Sequence, residues 1–255
     1  MNHKLVEMGL QKRRDVKYVR DINFFEKTPA GVTAAEEKTA NELAKNIKNY
    51  PHALVLAGLM DRQISAEKAW IIPYKIKEIR GGVFDIKDLV TLSETEYINI
   101  FENNKLHRFN KKMAIVFHKA VNRIQDEYGG DVSKIWTGKP SSAKVVFEFS
   151  LFYGCGIKIS TMLANILVRH FLIELSDYYS IDVSPDVHVK RIMKRTGLVP
   201  TDAKTESIVY KARELYPEFP GIIDNSCWEI GRKYCKEKPP DCEKCPINDV
   251  CKMVL

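Results

Sequence analysis

Residues 235–251 read CKEKPPDCEKCPINDVC and hold four of the chain's six cysteines, with six, two and five residues between successive thiols. Short loops of this kind let four thiolates converge on one centre, and Pro239, Pro240 and Pro246 stiffen the turns between them. Disulfides fit poorly. The opening residues, MNHKLVEMGLQKRRD, carry no apolar core of signal-peptide length, so the chain is expected inside the cell, where thiols stay reduced. Zinc is the ordinary occupant of a four-cysteine set, but zinc modules pair their cysteines twice and this spacing has one close pair. Cys155 and Cys227 fall outside the quartet and read as small buried apolar residues.

Upstream, Phe152-Tyr153-Gly154-Cys155-Gly156-Ile157-Lys158-Ile159-Ser160 reads as a turn entering a new amphipathic helix. Two glycines bracket a turn expected to be too tight for Cβ atoms. The backbone N–H groups at the start of the following helix suit a phosphate, held without any reading of base sequence. By itself G-x-G before a helix is a weak signal, and a plain interhelical turn stays open. Between hairpin and cysteines, Pro185-Asp186-Val187-His188 leads into Lys190, Arg191, Lys194 and Arg195 at i, i+4 spacing. An N-cap role alone would account for Asp186.

Helical signals dominate the rest. Thr33 to Glu36 and Ser93 to Glu96 are capping-box patterns ahead of apolar stripes at Ala40, Leu43, Ala44 and Ile47, and at Tyr97, Ile100 and Phe101. A second run through Met113, Phe117, Ala120 and Ile124 stops at Gly129-Gly130. Lys144 to Phe149 reads as a helix despite its β-branched valines, and an all-α protein follows. With 255 residues, 45% of them hydrophobic, the chain can bury one large core or two modest ones. No stretch approaches the roughly 18 apolar residues of a membrane span. The net charge of +7 says little, but its distribution says more: Lys105, Arg108, Lys111, Lys112, Lys119 and Arg123 fall in a stretch free of acids. A solvated helix face accounts for such a run equally well.

The cysteine spacing, the hairpin with its lysine and the aspartate before x-His and a basic helix together resemble the helix-hairpin-helix DNA glycosylase superfamily, of the endonuclease III type. The resemblance runs from about Tyr50 to the end. It implies an all-α, two-lobed helix-hairpin-helix glycosylase fold: a six-helix barrel lobe over 46–165, and an iron-sulfur cluster lobe over 166–255 whose loop, 235–251, binds a [4Fe-4S] cluster through Cys235, Cys242, Cys245 and Cys251. Residues 1–45 are expected to pack with the cluster lobe. Carried over by position, the catalytic pair is Lys158 and Asp186. The resemblance further implies Gln63 as the side chain that fills the gap left by a flipped nucleotide, Arg108, Phe109 and Asn110 as the wedge loop, and Gly154 and Gly156 as phosphate contacts.

The residue types suit the chemistry. A neutral amine can attack C1′ of the deoxyribose, displace the base and form a Schiff base through which β-elimination cuts the strand. A helix N-terminus and basic neighbours around Lys158 would disfavour its ammonium form. Asp186 can stabilise positive charge developing on the sugar. The implied activity is a DNA glycosylase with abasic-site lyase activity on an oxidised pyrimidine in double-stranded DNA, in a monomeric intracellular protein, nucleoid-associated in a prokaryote, with no membrane partner. Alternatives are a monofunctional glycosylase for alkylated, oxidised-purine or mismatched bases, and a non-catalytic iron-sulfur DNA-binding protein. Two departures bear on the site. Tyr153 stands where relatives have proline, and about ten extra residues before Asp186 open a competing acid at Asp182.

Overall fold

A computed structural model of the chain describes residues 2–14 and 34–253, and every regular element among them is helical. In chain order the α-helices are α1 (Asn2–Arg14), α2 (Ala34–Lys45), α3 (Pro51–Met60), α4 (Ala66–Trp70), α5 (Ile72–Ile79), α6 (Ile86–Leu89), α7 (Glu94–Asn103), α8 (Asn110–Tyr128), α9 (Ser142–Ser150), α10 (Ile157–His170), α11 (Val187–Arg195), α12 (Thr205–Leu215) and α13 (Asp224–Lys233). Three 3-10 turns, Val132–Ile135, Pro220–Ile223 and Asn248–Val250, punctuate them. The all-α expectation holds, including the helix over 144–149. Thr33 of the first capping pattern lies outside the described residues. No helix among them is long and apolar enough to cross a membrane.

The chain divides into two compact units. The first holds α2 to α8 and residues 148–159; the second holds α1, residues 139–147 and the chain from residue 160 onward. The segment expected to act as one piece over 1–45 therefore divides: α1 packs on Pro220–Ile223 and α13, whereas α2 packs on α3 and α5.

The first unit is built round α3. Its sequence, PHALVLAGLM, is apolar on every side, and all ten residues are buried, as a helix hydrophobic all round requires. Helices α7 and α8 form a hairpin beside it. Ser93 and Glu96 close the capping box at the start of α7, with the Ser93 N–H donating to Glu96 Oε2 at 2.8 Å and the Glu96 N–H to Ser93 Oγ at 3.3 Å. Gly129, at φ +63°, ends α8 in the left-handed conformation. Between the helices Phe117 meets Tyr97 and Phe101, with ring centroids 5.4 and 5.8 Å apart.

In the second unit α1 lies so close to the Pro220–Ile223 turn that a Cβ on Gly9 would stand 2.2 Å from the Ile222 carbonyl oxygen. Lys4 of α1 also pairs with Asp249 of the cysteine loop at 2.6 Å. Both partners are substantially exposed, so packing, not the ion pair, holds α1 in place.

Candidate functional site

The hairpin belongs to the first unit. Gly154 sits at φ +78°, and a Cβ there would meet the Arg62 guanidinium nitrogens at 3.3 and 3.4 Å and Val116 at 3.5 Å. Arg62 Nη2 donates to the Gly154 carbonyl, so an arginine from the end of α3 braces the turn. The reading of both glycines as sterically required is corrected at Gly156, where a Cβ would meet nothing within 4 Å. Cys155 is buried, and burial pushes its thiol up to about 12, which leaves it a packing residue and no nucleophile. Tyr153, 53% exposed, lies under the Lys119 ammonium, 3.9 Å from its ring centroid.

Lys158 is the second residue of α10. Its Nζ lies 3.9 Å from Asp61 Oδ2, with the lysine side chain 39% and the aspartate side chain 18% exposed. The sequence reading expected basic company for this amine; a carboxylate also stands within reach of it.

Gln63 is exposed in the loop between α3 and α4 and holds φ +53°, a left-handed backbone that costs a residue with a Cβ about 1 kcal/mol or more. Arg108 and Phe109 are exposed at the α8 entry, with the guanidinium 5.4 Å from the Phe109 ring centroid. Asn110 works within this loop, its Oδ1 accepting the His107 N–H at 2.8 Å. His107 joins the two loops. Its Nδ1 accepts the Phe109 N–H at 3.0 Å, which assigns the proton to Nε2, and Nε2 lies 3.2 Å from the Met60 carbonyl just before the Gln63 loop. Burial lowers the His107 pKa, in keeping with that neutral form.

Asp186 belongs to the second unit, at the N-cap of α11, where Oδ1 accepts the His188 and Val189 N–H groups at 2.8 Å each. The competing acid, Asp182, is 8% exposed and held by both its oxygens in a two-pronged pair with Arg213 at 2.8 Å. That pairing engages Asp182 structurally.

The four cysteines of residues 235–251 line a single cavity of about 90 Å³, walled also by Ile192, Tyr234, Pro240 and Ile247. Among the described residues no three His, Cys, Asp or Glu side chains converge on a single-ion position. Donors face the sulfurs: Arg195 Nη1 lies 3.4 Å from Cys235 Sγ, and the Met253 N–H lies 3.4 Å from Cys251 Sγ. The basic face expected on α11 is half spent here, because Arg191 donates to the Gly231 and Cys235 carbonyls and Arg195 to those of Lys236 and Glu237.

No family model matches the chain. It is 23% identical to the DNA glycosylase/AP lyase ROS1 of Arabidopsis thaliana over 197 residues, which are 69% of this chain and 13% of that protein. It is 36% identical to endonuclease III of Thermotoga maritima over 66 residues, 26% of this chain and 31% of that one. The matches thus span less than a third of either relative. Among solved structures, a trapped endonuclease III–DNA covalent intermediate superposes with a TM-score of 0.59 at 17% identity, covering 86% of this chain and 96% of that one. The chain has the fold of the helix-hairpin-helix DNA glycosylase superfamily. A thermostable thymine-DNA glycosylase has the same fold, with a TM-score of 0.62 at 12% identity over 99% of this chain and 95% of that one.

Within this glycosylase fold, Arg62, His107 and Arg195 are residues that the sequence reading assigned no role in holding the site. Each acts through a backbone partner 40 or more residues away, and motif spacing carries no trace of such contacts. Asp61 carried one faint signal, a carboxylate two residues before the candidate Gln63.

Proposed function

We propose that this chain is a DNA glycosylase with associated abasic-site lyase activity, removing an oxidised pyrimidine from duplex DNA as a monomer. The reading rests on Lys158, an amine on the second residue of α10 directly after the braced Gly154 turn, in a chain with the endonuclease III fold. Lys158 forms a bond to C1′ as the glycosidic bond breaks, and the base leaves with the bonding electrons and takes up a proton. The opened sugar is then an iminium on Nζ, and loss of a 2′ proton expels the 3′ phosphate. Asp186, its Oδ1 engaged at the N-cap, keeps a negative charge available to the cationic sugar. Gln63 fills the vacated stack, Arg108 and Phe109 wedge the duplex, and Gly154 and Gly156 contact a phosphate.

The cavity lined by Cys235, Cys242, Cys245 and Cys251 fits a [4Fe-4S] cluster, because the thiols surround a space with N–H donors turned to two of the sulfurs. Such a cluster would supply a rigid tie for the loop, beside which Lys233, Lys236 and Lys238 are exposed to solvent.

A second reading is favoured by the Lys158–Asp61 pair. If that pair persists with DNA bound, the amine stays engaged and Asp186 activates water in a monofunctional glycosylase. Borohydride separates the two. With a duplex carrying thymine glycol opposite adenine, the expected result is base release and a reduced covalent adduct that Lys158→Ala abolishes while duplex binding persists. Base release without an adduct overturns the lyase in favour of water. Duplex binding with no release from thymine glycol, 8-oxoguanine, alkylated or mismatched duplexes overturns catalysis and leaves a DNA-binding module.

A further inference from the structure

The turn that carries Asp186 is held by a carboxyl to which the chemistry above gives no task. Asp224, the first residue of α13, accepts the Ser184 N–H on Oδ1 at 3.0 Å. Its Oδ2 lies 3.5 Å from Asn165 Nδ2, which also donates to the Gly221 carbonyl at 2.7 Å. The Asp186 N–H donates to the Ser184 carbonyl at 2.6 Å. Ser184 is thus gripped at both ends, by Asp224 on its amide and by Asp186 on its carbonyl, and Asp224 is the outer anchor of the N-cap that presents Asp186.

Asp186 and Arg169 act on Asp224 directly. On its own helix the Cys227 thiol is pushed up by burial and stays neutral. From α11, burial lowers the His188 pKa, and Arg191 is committed to the Gly231 and Cys235 carbonyls. The Pro220–Ile223 turn has no ionisable side chain, and Lys4 of α1 is paired with Asp249. Although part of the residue reaches the surface, burial and then the adjacent Asp186 push the Asp224 carboxyl up to about 7.

We propose that Asp224 is a positioning residue for Asp186, holding the Ser184–Asp186 turn through the Ser184 amide. This rests on the reading of Asp186 as a working residue of a glycosylase. The physical reason is that two neighbouring carboxyls do not both ionise cheaply, so a neutral Asp224 concentrates the charge on Asp186. When Asp224 ionises, the second anion repels the first, with Ser184 tied to both residues, and loosens the N-cap.

The test uses Asp224→Asn, which keeps an acceptor for Ser184 and fixes the neutral form, and Asp224→Ala, which removes both. In single-turnover base release from the thymine glycol duplex, deprotonation of the attacking amine raises the rate with pH in every variant, and beyond that shared rise the wild-type rate is expected to fall as pH passes about 7. Asp224→Asn should match the wild type below that point and lack the fall; Asp224→Ala should lose roughly 10- to 100-fold at every pH through misplacement of Asp186. Thermal midpoints need no substrate. Because the folded carboxyl is raised, the unfolded chain ionises first, so wild-type stability should decline from the ordinary carboxylate range up to about pH 7 and then level. Asp224→Asn should remove that decline and Asp186→Asn should shrink it. An Asn variant that keeps both the decline and the rate inflection overturns the proposal. A wild type that releases no base from any duplex of the panel overturns the parent reading and the catalytic role with it, while the midpoints report separately on whether the two carboxyls are coupled.

Discussion

A Cβ at position 154 would press on the Arg62 guanidinium and Val116 from a backbone at φ +78°, whereas one at position 156 would enter open space. The same residue type two positions apart therefore answers to different demands. Gly154→Ala is expected to lower the thermal midpoint, at a cost of about 1–3 kcal/mol for the left-handed backbone and the displaced brace. Gly156→Ala should change stability by less than about 1 kcal/mol. If Gly156→Ala nevertheless weakens duplex binding, a phosphate sits where the new methyl points; unaltered binding would remove Gly156 from the DNA contacts. Equal destabilisation by the two substitutions would contradict the brace. The turn itself was legible, because G-x-G ahead of an amphipathic helix has a local steric meaning. The brace was not, since Arg62 and Gly154 are 92 residues apart. The same holds for Asp224, whose tie to Ser184 spans 40 residues.

At the scale of the helix, local chemistry read well wherever both partners lie within one turn: the Ser93–Glu96 box, the Gly129 stop and the Asp186 cap all depend on neighbours a few residues away. Helix α11 shows the limit. Its four basic residues at i, i+4 spacing suggest one solvated or DNA-facing stripe, yet Arg191 and Arg195 turn onto the carbonyls of residues 231 and 235–237. Sequence periodicity gives a side chain's azimuth, and only the fold supplies the acceptors that lie there. Arg195 hydrogen-bonds two loop carbonyls and faces Cys235 Sγ with one planar fork, a geometry that a lysine point charge cannot reproduce. Arg195→Lys is therefore expected to lower the thermal midpoint, with a loss of about 0.5–1.5 kcal/mol as the fork's hydrogen bonds to the loop are given up. Lys190→Gln on the same helix makes none of these loop contacts and serves as the control. Equal effects from both would mean that the fork contributes nothing to the loop.

Across the whole molecule, a net charge of +7 from 40 basic and 33 acidic residues separates this chain from no particular class of partner. What distinguishes it is where positive charge reaches solvent. Lys105, Arg108, Lys111, Lys112 and Lys119 are exposed along the α8 entry and helix, in a stretch without acids, while Arg123 is withdrawn against the Tyr128 and Phe152 rings. In the second unit Arg191, Arg195 and Arg213 are consumed internally. Binding to duplex DNA should therefore weaken with salt, with a slope of about −0.9 in log affinity against log salt for each phosphate neutralised. Lys111→Gln with Lys112→Gln is expected to make that slope shallower by about 1–2 and to weaken binding to damaged and undamaged duplex alike, since phosphate contacts carry no lesion information. Phe109→Ala should act in the opposite manner, leaving the salt slope unchanged while lowering the preference for the lesion, because an apolar wedge acts only where a base step opens. If the lysine pair leaves the slope intact, the duplex does not run along α8, and the exposed lysines at 233, 236 and 238 become the place to seek the missing phosphate contacts.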